Sequence, residues 1–171
     1  MKENGGYLPS SGLNNPKDSL FVRELLDNNG LTTTPALRVM EIQSNRIVRI
    51  VLYPKDSTLV LPPIIDSLPK GITVGAGEIN SVRIPVKLHN PITLRMNRNN
   101  INNYPDDLFN LADSSSVEIC FNQIKILPYE IMSFKFNQFL FTYNNICNPP
   151  DTLRKWLNEH YSNWEKYQIC P

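Results

Sequence analysis

Leu94-Arg95-Met96-Asn97-Arg98-Asn99-Asn100-Ile101-Asn102-Asn103-Tyr104-Pro105-Asp106-Asp107-Leu108-Phe109-Asn110-Leu111 decides the architecture, because the chain repeats its pattern on both sides. Moving forward 23 residues, from Asn99 to Asn122, lands on Val117, Ile119, Ile124, Leu127-Pro128, Ile131 and Phe134. A further 22 residues, to Asn144, gives Phe139, Phe141 and Ile146, with Pro149-Pro150 close behind. Moving back 22 from Asn99 gives Ile72, Val74, Ile79 and Val82, with Gly77 in the place of Asn. One more step reaches Ile50 and Leu52, followed by Leu61-Pro62, Ile65 and Leu68. Self-similarity at a fixed period of roughly 20 to 50 residues marks an array of stacked units.

Each part of the unit has a physical job. Two apolar residues separated by one form a short strand whose alternate side chains enter a core, and strands recurring at this period stack into one parallel sheet. The Asn after the strand turns the chain inward, and its amide can satisfy backbone groups that a buried bend leaves without partners. Asn99, Asn122 and Asn144 therefore read as an internal structural ladder and not as ligand-binding residues. Proline then starts the return limb with φ near −65°, where no ladder donor is needed. The expected strands are Ile50 to Leu52, Ile72 to Val74, Leu94 to Met96, Val117 to Ile119 and Phe139 to Phe141.

Outward from the repeats, Pro16 to Gly30 reads as a short amphipathic helix. Asp18 or Ser19 can cap it, Phe21/Leu25 and Val22/Leu26 lie one turn apart, and Gly30 can stop it in the left-handed region. Arg46 to Tyr53 alternates and is β-branched, a strand ended by Pro54. Residues 1–15, rich in Gly, Ser, Asn and Pro, read as a poorly ordered lead-in. At the other end Asp151 can cap a helix carrying Leu153, Trp156 and Leu157, followed by Trp164. The division is a lead-in over 1–15, an N-terminal cap helix and linker over 16–46, repeats over 47–146, and a C-terminal cap over 147–171.

This pattern resembles the leucine-rich repeat family in its form of about 22 to 23 residues with Leu-Pro after the Asn turn. The opening helix with Asp27-Asn28-Asn29-Gly30-Leu31 is similar to the N-terminal cap of bacterial secreted or surface members. The ending, from Cys147-Asn148-Pro149-Pro150 to Cys170, looks like their C-terminal cap. The resemblance implies an α/β fold: a leucine-rich repeat solenoid, with a curved parallel sheet of about five short strands, an irregular convex side and a helix capping each end. It also implies a binding module without catalysis of its own. A Cys147–Cys170 disulfide would tie the terminal segment to the last repeat, the alternative being two buried reduced thiols. If formed, it points to an oxidising, extracytoplasmic compartment, with any signal peptide lying upstream of Met1. Cys120, at an x position, is expected to face outward from the sheet.

Composition narrows the function further. In 171 residues, 17 basic and 16 acidic side chains leave a net charge of +1, so no global field recruits nucleic acid or anionic membrane. No run of 18 apolar residues makes a transmembrane helix. His89 and His160 are far apart and belong to no metal-spaced pair, and Gly75-Ala76-Gly77 lacks the third glycine of a dinucleotide fingerprint. Asp106-Asp107 reads as part of a solvated convex face. No cofactor or metal is implied.

What remains is a surface. The outward positions of the repeats are Tyr53, Thr73, Arg95, Asn97, Arg98, Glu118, Cys120, Phe121, Leu140, Thr142 and Tyr143. Arg and aromatic residues are the types enriched at protein interfaces. The candidate ligand-binding set is Arg95, Arg98, Phe121 and Tyr143 with Asn97 and Glu118. The expected partner is another protein in preference to a sugar, and the expected state is a monomer. The alternative class is a structural or assembly subunit of a cell-envelope complex, and a more remote one a hydrolase with an unrecognised site.

Overall fold

The computed structural model describes residues 15–68 and 71–171, so the lead-in expected over 1–15 lies outside them except for Asn15. Helix α1, Pro16–Asn28, begins at Asn15, whose side chain accepts the Lys17 N–H at 2.9 Å. Asn15, not Asp18 or Ser19, is therefore the cap. Asp18 is fully buried and accepts from Arg46 Nε at 3.0 Å, Arg46 Nη2 at 2.8 Å and the Ile47 N–H at 3.1 Å. A carboxylate out of water needs such donors more than the helix needs a second cap. Phe21, Val22, Leu25 and Leu26 form the buried stripe. The helix stops at Gly30, φ +69°, where the Leu31 N–H reaches the Leu26 carbonyl at 2.8 Å, a Schellman closure.

The strands are β1 (Met40–Gln43), β2 (Arg46–Leu52), β3 (Thr58–Val60), β4 (Thr73–Ala76), β5 (Ser81–Arg83), β6 (Thr93–Arg95), β7 (Ser116–Glu118) and β8 (Gln138–Leu140). Six form one sheet in the order β1-β2-β4-β6-β7-β8, antiparallel only between β1 and β2; β3 and β5 pair in parallel separately. The chain is thus α/β, a mostly parallel six-strand sheet with two helices. β1 lies in the expected linker 16–46 and is a correction to it. Its hairpin turns at Ser44 and Asn45, φ +48° and +59°, the left-handed pair that suits the strands' twist.

Ile50, Val74, Leu94, Val117 and Phe139 lie side by side in register, all buried. Val74, not Ile72, is the partner of Leu94, so the strand expected over Ile72 to Val74 is shifted by two residues. The cause is a shortened turn after β4. Asn99 Nδ2 donates to the Ala76 carbonyl as Asn122 Nδ2 donates to that of Met96, while the Ile79 N–H donates to Asn99 Oδ1 as Ile101's does to Asn122 Oδ1. Only Gly77 and Glu78 separate Ala76 from Ile79, where residues 97–100 separate Met96 from Ile101. Gly77 therefore does no Asn work. Its missing side chain makes room for Tyr53, since a Cβ there would sit 2.5 Å from the ring's Cε1.

Asn144 completes the ladder, taking the Ile124 N–H at 3.0 Å and donating to the Ile119 carbonyl at 2.9 Å. Pro62, Pro105 and Pro128 each precede a 3-10 turn and each accepts from the residue three on: Ile65, Leu108 and Ile131, all buried. Helix α2, Asp151–His160, covers the far end with Leu153 and Leu157, joined by buried Trp164. It follows Pro150, and Asp151 makes no capping bond, which corrects that expectation. Cys147 and Cys170 are disulfide-bonded with Cα atoms 5.5 Å apart. Among the described residues, no helix is long and apolar enough to cross a membrane.

Candidate partner-binding face

Because strand side chains alternate, the residue between each inward pair points to the opposite face. In register these are Val51, Gly75, Arg95, Glu118 and Leu140. Arg95 Nε donates to Glu118 Oε1 at 2.8 Å, and Asn97 Nδ2 donates to Oε2 at 3.0 Å. Both Glu118 oxygens are therefore held, and Asn97 is fixed in turn by accepting the Cys120 N–H at 2.7 Å. Thr142 Oγ1 donates to Cys120 Sγ at 3.3 Å, and Cys120 is buried, which corrects its expected outward exposure.

The turn residues add a second row. Arg98, Phe121 and Tyr143 stand immediately before the three ladder asparagines and have φ of +60°, +56° and +57°. A non-glycine residue in this region costs roughly 1–2 kcal/mol, which the surrounding ladder must overcome. The shared conformation aligns the side chains. Phe121 and Tyr143 stack at 4.3 Å with an interplanar angle of 11°, the Arg98 guanidinium lies 5.4 Å over Phe121, and Tyr167 meets Tyr143 edge-on at 6.3 Å. Phe121 and Tyr143 remain 44% and 38% exposed, so the row is accessible and not part of the core.

All six expected residues thus fall on one continuous strip: Arg95, Asn97 and Glu118 as a bonded triad, Arg98, Phe121 and Tyr143 as a stacked row. Beside the triad, a cleft of about 340 Å³ opens over β4, walled by Arg49 and Tyr53 on one side and by Arg95, Asn97 and Arg98 on the other. Arg49 and Glu78, which line the cleft, and Tyr167 stand at positions that the repeat pattern does not mark. Tyr167 joins through its carbonyl, which accepts the Tyr143 N–H at 2.5 Å, and no repeat signal marks that register.

A second cavity, about 570 Å³, lies between Ser81 to Arg83 and Asn102 to Asp107. Asp107 is not simply solvated: its Oδ2 accepts the Ile84 N–H at 2.8 Å, tying adjacent limbs together. Burial pushes the nearby Tyr104 hydroxyl's pKa upward, with Asp106 and Tyr161 adding to it, so it stays protonated. Among the described residues, no group of three His, Cys, Asp or Glu side chains is placed to hold a metal ion. No family model, curated protein or solved structure matches the chain.

Proposed function

We propose that the chain is a leucine-rich repeat solenoid, capped at both ends, and that it serves as a non-enzymatic extracytoplasmic module that binds another protein through its concave face. The stacking of parallel strands, the recurring amide bonds of Asn99, Asn122 and Asn144, and the recurring proline-led turns support the solenoid reading. The Cys147–Cys170 bond fits an oxidising compartment.

The row of Arg98, Phe121 and Tyr143 is the observation that carries the binding role. Three large, partly exposed side chains of interface type are held rigidly on successive units at backbone positions that cost free energy. Groups locked in this way lose little entropy on association. The test replaces Arg95, Arg98, Phe121 and Tyr143 together with Ala and compares proteins captured from envelope extracts. The wild type should capture at least one protein that the folded variant loses; an identical set of captured proteins overturns this assignment of the face.

A further inference from the structure

Resting on that reading, we infer that the partner presents an acidic polypeptide segment whose carboxylates enter the cleft over β4, in preference to a glycan. Arg49, Arg95 and Arg98 line this cleft against one lining carboxylate, Glu78. Glu118 is held by Arg95 Nε and Asn97. Glu41, opposite Arg49 across the β1–β2 pair, lies outside ion-pair distance of it. Among the described residues, neither Arg49 nor Arg98 is in an ion pair, and Arg95 donates to Glu118 only through Nε. Guanidinium forks with free N–H groups are the side chains best shaped to take a carboxylate with two bonds.

The aromatic row points the same way. A sugar ring binds by stacking on an exposed aromatic face, yet the faces of Phe121 and Tyr143 lie against each other, with Arg98 over Phe121 and Tyr167 against Tyr143. The row therefore offers ring edges, which carry the positive end of the aromatic quadrupole, together with the Arg98 guanidinium. Such a surface favours a carboxylate over a neutral hydroxyl, because the Arg98 guanidinium is charged and charge-assisted hydrogen bonds are the stronger ones. The cleft's depth comes from Gly75, whose row neighbours Val51 and Arg95 both carry side chains. A Cβ at Gly75 would meet its nearest neighbour, Val51 Cγ2, at 3.4 Å, so the backbone there tolerates a side chain and a larger one would fill the cleft.

The test uses fluorescence anisotropy of a labelled six-glutamate peptide, its six-glutamine counterpart and a labelled maltohexaose, with wild type, Arg98→Gln and Gly75→Val. The glutamate peptide should bind wild type and the other two probes should not. Each variant should weaken binding by about tenfold or more. Gly75→Val changes no charge, so a loss there separates seating in the cleft from general attraction, and a melting curve matching wild type shows that it folds. Binding of the glutamate peptide no tighter than the glutamine peptide, binding unaffected by Gly75→Val, or binding of the glycan overturns the inference. A partner that depends on the face and is captured without any affinity for the glutamate peptide overturns the acidic segment alone and leaves the protein-binding role standing.

Discussion

Asp66 shows how one side chain can pin a return limb. It lies within the 3-10 turn Pro63–Ser67 and accepts the His89 N–H at 2.8 Å, the Asn90 N–H at 2.8 Å and a contact from His89 Nδ1 at 2.7 Å. Burial pushes its carboxyl pKa upward, but the hydrogen bonds from the Asn90 N–H and from the His89 ring and N–H outweigh it, so the net pKa lies below the ordinary value. A depressed native pKa means the unfolded chain binds this proton more readily. The contribution to stability is therefore complete above the unfolded value of about 3.9 and is lost as pH falls through the native one. Urea unfolding of wild type and Asp66→Asn should accordingly show wild type more stable at pH 7 and the two curves converging below about pH 4. A gap that stays constant down to pH 2.5 would show that this carboxylate does not supply the difference.

At the scale of elements, α1 is held to the sheet by its buried stripe and by Asp18. Asp18→Ala leaves the Ile47 N–H without its acceptor in a buried position, at a cost of about 1–3 kcal/mol. The unfolding free energy should fall by that amount, read as a lower denaturant midpoint at an unchanged slope, and a change under about 0.5 kcal/mol would mean that the stripe alone docks the helix. That role was hidden in the sequence because Asp18 sits where a cap residue belongs, while the real cap, Asn15, looked like lead-in. The ladder from Asn99 to Asn144 was legible because each unit spends the same amide on the same backbone groups, which forces a constant spacing. The unit before it departs from the sequence period for a simple reason. Two shifts of 22 residues carry Ile50 to Leu94 as well as the true steps of 24 to Val74 and 20 to Leu94. β1 escaped notice because Ser44-Asn45 lacks the glycine that usually announces a two-residue hairpin. The outward direction of Arg95 and Glu118 is legible from strand alternation, whereas the positive φ that aligns Arg98, Phe121 and Tyr143 carries no signal in the sequence. The cleft beside them is not legible either, since it depends on that shifted register and on the near approach of Tyr53 to Gly77.

For the molecule as a whole, the sheet's order makes stability a matter of neighbours. Within the six-strand sheet each strand from β2 onward pairs only with its neighbours in the order β2-β4-β6-β7-β8, apart from the β1 hairpin on β2, so the last unit depends on what covers it. That cover is α2 and the segment after it. Tyr161 packs edge-on against Phe139 and Phe141 at 6.2 and 5.2 Å, and the Ile169 N–H bonds the Asn144 carbonyl at 2.6 Å. The Cys147–Cys170 bond closes this segment into a loop with a sequence separation of 23, for which chain entropy gives about 3 kcal/mol. If stability is transmitted only between neighbours, replacing both cysteines with Ser should open the cap without loosening the sheet evenly. Hydrogen exchange should then lose protection first in α2 and β8, next in β7, and last in β4 and β6, with the first step faster by roughly a hundredfold, the rate equivalent of about 3 kcal/mol. Equal loss of protection from β2 to β8 would mean instead that the sheet opens as one cooperative unit, and that the cap stabilises every strand alike.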